Sequence, residues 1–138
     1  MLKSPDVLLL SADATETAEI QRILSDHVNL VPACDLSELP SLLEKNDYDA
    51  LFCAWSFQKG TWMDVLADVR ECHPDLPVIV LSPAPEVREW AAVLEAGAFD
   101  LLVPPHDERS MLAVLEQASA THYALGSNGL NGRMKLRV

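Results

Sequence analysis

Few side chains in this sequence stand at the spacings that catalysis or metal binding requires. The chain of 138 residues has three cysteines, Cys34, Cys53 and Cys72, and no two of them have the C-x-x-C spacing of a zinc or redox site. Its four histidines are scattered singly along the chain. We therefore expect no catalytic residue, no bound metal and no cofactor. We also expect the cysteines to be reduced, as they are in the cytoplasm.

Polar residues do follow the apolar runs, at the places where an open parallel sheet would bind a ligand. Residues 11–15, after the first run, read Ser-Ala-Asp-Ala-Thr and lack the glycines of a phosphate-binding loop. This composition disfavours a nucleotide- or flavin-binding enzyme. Asp13 is the carboxylate of this stretch, and capping of the following helix explains it better than ligand binding does.

Short apolar runs alternate with segments of helical periodicity. The runs, which predict strands, are Val7–Leu10, Val28–Val31, Ala50–Ala54, Pro77–Leu81 and Phe99–Val103. Apolar residues spaced by three and four predict a helix after each run. Five such units predict an α/β fold, a flavodoxin-like three-layer sandwich whose five-stranded parallel sheet has the order 2-1-3-4-5 and carries five helices. We assign residues 1–122 to this domain and residues 123–138 to a tail.

The ends of the helices are predicted from the residue types found there. Thr15, Ser37 and Asp107 are candidate N-caps of the first, second and last helices. The fourth helix is expected over about residues 86–96, with Gly97 as its stop signal. These boundaries leave a loop after every strand, all at one edge of the sheet.

The charge of the chain is unevenly distributed. The net charge is −11, and residues 1–122 hold all 21 acidic residues but only 7 basic ones, a net of −14. Such a body repels phosphates, so binding of nucleic acid by the domain is disfavoured. No apolar run has membrane-spanning length, and the N-terminus lacks a signal-peptide pattern. We therefore expect a cytoplasmic protein without membrane contact.

Three stretches carry a resemblance to a known family. They are Tyr48–Cys53, Pro74–Ser82 and Gly97–Pro105, in that order and at matching spacing. From Val7 to about Ala120 the chain resembles the receiver domains of bacterial two-component response regulators, and these stretches resemble their third, fourth and fifth strands. The resemblance implies a signalling domain that is not an enzyme, binds a protein partner and can pair through its fourth and fifth helices.

The resemblance also implies a phosphorylation site, and that site is degenerate here. The family's phosphoacceptor aspartate ends the third strand, where this sequence has Ala54. The acidic pair that helps to hold Mg²⁺ corresponds to Ser11 and Ala12, next to Asp13, and the conserved lysine corresponds to Pro104. Formation of an aspartyl phosphate needs a carboxylate nucleophile, so we expect no phosphorylation at Ala54.

Two further family positions bear on switching. The hydroxyl at the end of the fourth strand is kept as Ser82, whereas the aromatic switch of the fifth strand is replaced by Leu101. Leu101 has no polar tip to exchange between buried and exposed positions. The resemblance also implies a cis peptide bond between Pro104 and Pro105.

The loop after the third strand concentrates aromatic side chains. Trp55, Phe57 and Trp62 fall within or beside it. Each either fills the core or anchors a partner, because loops at strand ends are exposed and aromatic residues are favoured at interfaces. We expect at least one of Trp55 and Phe57 to be exposed. Trp90, on the fourth helix, is open to the same two interpretations.

Three functions remain open at this point. The first is a pseudo-receiver that signals without phosphorylation, by binding an unknown signalling protein or by dimerising. The second is a phosphoryl-accepting receiver of a phosphorelay that uses another carboxylate, either Asp13 or Asp64. The third is a small-molecule or flavin-binding enzyme on the same fold, which the lack of an acid–base pair disfavours. We favour the first.

Overall fold

A five-stranded parallel sheet forms the centre of the molecule. The computed structural model describes residues 4–84 and 89–120. Within them the sheet strands are β1 (Asp6–Leu10), β2 (Asn29–Ala33), β3 (Ala50–Ala54), β4 (Val78–Leu81) and β5 (Asp100–Leu102). All neighbouring pairs are parallel, and the order is β2-β1-β3-β4-β5. The predicted fold class and strand order are confirmed.

The three central strands are apolar because both of their faces are covered. All of β3 and β4 is buried, as is β1 beyond its first residue. Since side chains alternate across a strand, neighbouring residues enter different cores. Leu8 pairs in register with Leu51 on one face, while Leu9 pairs with Phe52 on the other.

Five helices cover the two faces. They are α1 (Ala14–Leu24), α2 (Leu39–Lys45), α3 (Trp62–Cys72), α4 (Trp90–Glu95) and α5, which runs through residues 108–120. The buried residues of α2, α3 and α4 share one core, and those of α1 and α5 share the other. A 3₁₀ turn, Leu36–Glu38, leads into α2. No helix in the described ranges combines the length and the apolar character that a membrane span needs.

Carboxylates begin several of these helices, and two of the predicted caps are wrong. Asp13 caps α1 by accepting from the backbone N–H groups of Thr15 and of the next residue, so Thr15 donates to the cap instead of forming it. Asp35 accepts from the N–H of Ser37 in the same way. Asp35 thereby caps the 3₁₀ turn, while α2 begins after Glu38, whose side chain makes no capping hydrogen bond. Asp107 caps α5, as predicted.

Helix α4 is shorter than the sequence pattern predicts. It begins at Trp90, because Glu89 has φ −93° and ψ 51°, which is not helical. Residues 86–88 of the predicted helix lie outside the described residues, as does the predicted tail. The predicted stop is confirmed: Gly97 has φ +115°, and the Arg70 guanidinium donates a hydrogen bond to the carbonyl of Ala96.

Gly97 offers a test of this helix end. A Cβ there would lie 2.6 Å from a guanidinium nitrogen of Arg70, at a φ that L-residues rarely adopt. We expect Gly97→Ala to lower the free energy of unfolding by about 1–2 kcal/mol, measured by urea denaturation. In an Arg70→Ala background the steric part disappears and only the backbone strain remains, so the cost there is smaller but not zero. An unchanged stability in Gly97→Ala would contradict the assigned backbone conformation.

Candidate functional site

The residues that the resemblance assigns to the site follow the ends of four neighbouring strands. Ala54 is the last residue of β3 and pairs in register with Leu81 of β4. Ser11 follows β1, and Ser82 follows β4. Because the strands are parallel, their carboxyl ends lie at one edge of the sheet. The fold therefore brings these positions together, although the polar side chains of a phosphorylation site are missing from them.

Ser11 is engaged by a carboxylate that the sequence analysis missed. Its hydroxyl donates a 2.6 Å hydrogen bond to Oε1 of Glu16 and accepts a bond from the backbone N–H of Asp13. Glu16 stands three residues after Asp13, the spacing of a capping box. That spacing could have predicted a side chain folded back over the helix start. Its partner is the Ser11 hydroxyl instead of the N–H of the cap.

The charge of Glu16 also reaches the buried thiol of Cys53. The side chain of Cys53 is fully buried, and its Sγ lies 3.1 Å from the carbonyl oxygen of Ala54, to which it donates. Burial raises the pKa of this thiol well above its usual value, and the negative charge of Glu16 raises it further. Cys53 therefore stays protonated and serves as a small apolar side chain.

The other site positions are Ser82, which is bonded within its own loop, and Pro104, which has no polar side chain. The hydroxyl of Ser82 donates to the carbonyl of Ala84 at 2.8 Å, within its own loop. Pro104 supplies no cation, and the bond between Pro104 and Pro105 is cis, which confirms that prediction. Across residues 4–84 and 89–120, no group of three or more His, Cys, Asp and Glu side chains could hold a metal ion.

Both aspartates proposed as alternative phosphoacceptors act as helix caps. The carboxylate of Asp13 accepts from two N–H groups at the start of α1, at 2.8 and 3.3 Å. Asp64 forms a capping box with Thr61: its Oδ2 accepts the Thr61 N–H at 2.9 Å, and the Thr61 hydroxyl accepts the N–H of Met63. Phosphorylation would turn either carboxylate into a neutral acyl group bearing the phosphate, and its remaining acyl oxygen would be a weaker acceptor for these N–H groups.

The loop between β3 and α3 is a small structured unit, which sequence patterns did not predict. Ser56–Phe57 pairs antiparallel with Gly60–Thr61. The rings of Trp55 and Trp62 lie 5.7 Å apart at 45°. Gly60 allows close packing there, since a Cβ would lie 2.6 Å from Leu36 Cδ1.

This packing decides the roles of the loop aromatics. Trp62 is buried in the core, so the interpretation of Trp62 as core filler is correct. Trp55 and Phe57 are half-buried against the same core. The hairpin folds the loop down onto the strand ends, so each of these two side chains is partly exposed and neither is fully buried.

The exposed apolar side chains lie on helices instead. Trp90 is 41% exposed and Leu94 is 44% exposed on α4, while Met63 is 58% exposed on α3. The indole N–H of Trp90 donates to the carbonyl of Leu101 at 3.2 Å. Leu101 itself, at the family's switch position, is buried. Trp90 thus rests on β5 through its polar edge and leaves much of its ring in solvent.

A cleft of ≈450 Å³ lies beside the strand ends. Ala12, Cys34, Phe57 and Lys59 are among its lining residues. Asp35 also faces it, but this carboxylate is occupied as a cap. The cleft offers one cation and no acid–base pair, which gives it no evident catalytic chemistry.

Comparison with known proteins gives distant relatives. No family model matches the chain. Over 119 residues it is 24% identical to the transcriptional regulatory protein ZraR of Escherichia coli strain K12, an alignment that covers 85% of this chain and 27% of ZraR. The chain therefore spans about a quarter of the length of the curated relatives it matches.

Solved structures share the fold over nearly the whole chain. The signal receiver domain of an HD domain-containing protein from Pseudomonas fluorescens Pf-5 matches with a TM-score of 0.80 at 22% identity, covering 92% of this chain and 95% of that one. A response regulator receiver domain protein from Clostridium thermocellum matches with a TM-score of 0.79 at 21% identity, covering 88% and 98%. The architecture is that of receiver domains.

The reactivity of the three thiols tests whether Cys53 is buried at the end of β3. In the native protein we expect a thiol reagent such as DTNB to modify exposed Cys34 and Cys72 quickly and Cys53 only after unfolding. Because the raised pKa keeps Cys53 protonated while an unfolded thiol ionises near pH ~8.5, stability is lost as the pH rises through that value. Cys53→Ala should lose less stability over the same range. Equal reaction rates for all three thiols would contradict this assignment.

Proposed function

We propose that this chain is a receiver-like module of two-component signalling that acts through protein–protein contacts and accepts no phosphoryl group. The observation that carries the proposal is the replacement of the site at the strand ends. Ala54 ends β3 with a methyl group, and after neighbouring β1 the Ser11 hydroxyl is bonded to Glu16 at 2.6 Å. The same fold is thus kept without the groups that transfer a phosphoryl group.

The chemistry of phosphoryl acceptance explains why these losses matter together. An acyl phosphate requires a carboxylate nucleophile, and its formation requires Mg²⁺ to neutralise the phosphoryl oxygens. Mg²⁺ demands nearly octahedral oxygen ligands, which Ser11, Ala12 and Ala54 do not supply. Pro104 offers no cation to pair with the phosphoryl group. The residues present therefore do not fit the metal that the fold family implies.

The alternative, a phosphorelay receiver with a substitute carboxylate, has weaker support. Asp13 and Asp64 each hold a helix start through backbone hydrogen bonds. The carboxylate of Glu16 accepts a hydrogen bond from the Ser11 hydroxyl. Phosphorylation of any of these would disturb a local hydrogen bond that the side chain makes in this structure.

Exposed apolar side chains are the best candidates for the partner surface. Trp90 and Leu94 lie on α4, and Met63 lies on α3. Large apolar residues are common anchors of interfaces. A homodimer through α4 and α5 would use the first two, and a signalling protein could use either helix. We place the module in the reducing cytoplasm, since Cys34, Cys53 and Cys72 are unpaired.

Treatment with a small phosphodonor tests the phosphorylation-independent function. We expect incubation with acetyl phosphate and Mg²⁺ to leave the intact mass of the chain unchanged, because the nucleophile, the metal ligands and the cation are all missing. Ala54→Asp alone should also stay unmodified, since it restores only the nucleophile.

A combined variant supplies the positive control. Ser11→Asp, Ala12→Asp, Ala54→Asp and Pro104→Lys together should gain the mass of one phosphoryl group. A phosphoryl group found on the unaltered chain and mapped to Asp13 or Asp64 would establish the alternative function.

Matched surface variants test the partner surface. We expect Leu94→Asp to weaken the binding of a specific partner or self-association by about tenfold, equivalent to about 1.4 kcal/mol, with no change in Tm. Met63→Asp makes the same change on α3 and serves as its counterpart. Binding is compared by quantitative pull-down and by sedimentation. If both variants keep full binding, neither helix carries the interface.

A further inference from the structure

An open groove of ≈770 Å³ lies beside α5, on the face of the sheet that α1 and α5 cover. Pro5, Val28, Leu112 and Leu115 are among the residues that line it, so its floor is apolar. Within the described residues, none of those that line it belongs to α4, which packs into the other core. The groove is therefore separate both from the strand-end site and from the exposed side chains of α4.

A stripe of residues on α5 forms one wall of this groove. It consists of Arg109, Leu112, Ala113 and Glu116. Their i, i+3, i+4, i+7 spacing places them on one side of the helix. Arg109, Ala113 and Glu116 are exposed, and Leu112 is partly buried. The stripe therefore presents an apolar middle with a cation at one end and an anion at the other.

The charges of this stripe are arranged so that it complements itself. Arg109 and Glu116 stand seven positions apart, and the midpoint between them falls between Leu112 and Ala113. When two copies of the stripe pair antiparallel about that midpoint, each Arg109 lies opposite Glu116 of the other copy. A parallel pairing would set like charges against each other. The arrangement therefore favours an antiparallel contact with a second copy of this chain.

The other ionic groups beside the groove leave these two charges available. Glu108 is bonded at 2.7 Å to His27, so its carboxylate already has a partner. The side chains of Arg109 and Glu116 make no hydrogen bond or ion pair within residues 4–84 and 89–120, although the charge of Arg109 acts on Asp107. Ion pairs between two copies would therefore break no bond that these side chains make within the described chain.

We propose that this chain pairs with a second copy of itself through antiparallel α5 helices, each lying along the groove of the other. The two-fold axis passes between Leu112 and Ala113. The small side chain of Ala113 lets the helix axes approach to about 8–10 Å, and Leu112 of each copy is covered by the other α5. Two Arg109–Glu116 pairs lie at the ends of the contact. This inference does not depend on the proposed signalling function, and it uses a surface other than α4.

The pairing is expected to be weak. A contact between two short helices is smaller than a standard interface of about 800 Å² per partner. The two bodies also repel one another, because residues 1–122 of each carry a net charge of −14. We expect a dissociation constant of about 100 μM, measured by sedimentation equilibrium on the full chain at an ionic strength of about 0.15 M. A chain that stays monomeric up to about 1 mM would overturn the proposal.

Charge reversal at the two ends of the stripe tests the antiparallel orientation. Arg109→Glu creates Glu–Glu contacts in the homodimer and Glu116→Arg creates Arg–Arg contacts, so each variant alone should pair at least about tenfold more weakly. An equimolar mixture of the two variants should regain the pairing of the unaltered chain, because every contact in the mixed dimer joins opposite charges. The double variant should likewise pair with itself. If the mixture pairs no better than the single variants, the proposed contact is wrong.

Matched substitutions outside the groove control for the change of charge. Arg22→Glu on α1 and Glu95→Arg on α4 make the same replacements at exposed positions and should leave the pairing unchanged. Arg109→Glu places a negative charge near the start of α5, and Glu116→Arg places a positive one nearer its end. Both changes suit the helix macrodipole, so neither should lower Tm. Equal weakening by the control variants would overturn the proposal, since it would show only an effect of net charge.

Cysteine cross-linking locates the two-fold axis. Ala113 is exposed and lies beside the proposed axis, so Ala113→Cys in a Cys34→Ser, Cys72→Ser background should form a disulfide-linked dimer under mild oxidation. Ala91→Cys, exposed on α4, is the matched control and should cross-link far less. Cross-linking that is equal at the two positions, or stronger at Ala91→Cys, would contradict pairing through α5.

Discussion

Burial of the central sheet on both faces is the constraint on which the other features of this protein depend. Leu8, Leu9, Leu51 and Phe52 are fully inaccessible to solvent, and each such side chain stabilises the fold by about 1.5–3 kcal/mol relative to an exposed one. The helices must lie where they cover these residues. The loops that join strands to helices therefore meet at one sheet edge, whatever side chains they carry. Ser11, Ala54 and Ser82 are held at this edge by the sheet itself.

The carboxylates around that edge of the sheet accept hydrogen bonds at the starts of helices. Asp13, Asp35 and Asp64 each satisfy backbone N–H groups at a helix start, which otherwise lack partners. A cap of this kind contributes about 1 kcal/mol. Glu16 adds a bond to Ser11, and its negative charge helps to keep the neighbouring Cys53 thiol neutral. The acidic side chains near the replaced site thus have structural partners, and this supports a module that works without added charge.

The aromatic residues show how the same residue types divide between core and surface. Trp62 belongs to the core because it begins α3 and its ring meets Trp55. The indole N–H of Trp90 donates to the carbonyl of Leu101, and the side chain remains 41% exposed. Leu101 is buried beneath this contact, and its apolar side chain has no polar tip. A fixed apolar surface on α4 is consistent with signalling through constant contacts.

The sequence by itself determined the strand order, the parallel pairing and the lack of polar side chains at the end of β3. A continuous apolar run such as Ala50–Ala54 predicts a strand covered on both faces. The residue type at position 54 is alanine, so the sequence alone shows that no carboxylate stands there. Only the tertiary structure decided which side chains pack around the carboxyl ends of the strands and which remain exposed. The Ser11–Glu16 hydrogen bond joins side chains whose orientations depend on how α1 packs against the sheet. The hairpin that carries Phe57 packs closely at Gly60 against Leu36, a residue distant from it in the sequence. Local patterns report which residues can be buried, whereas their final exposure depends on neighbours supplied by other elements of the fold.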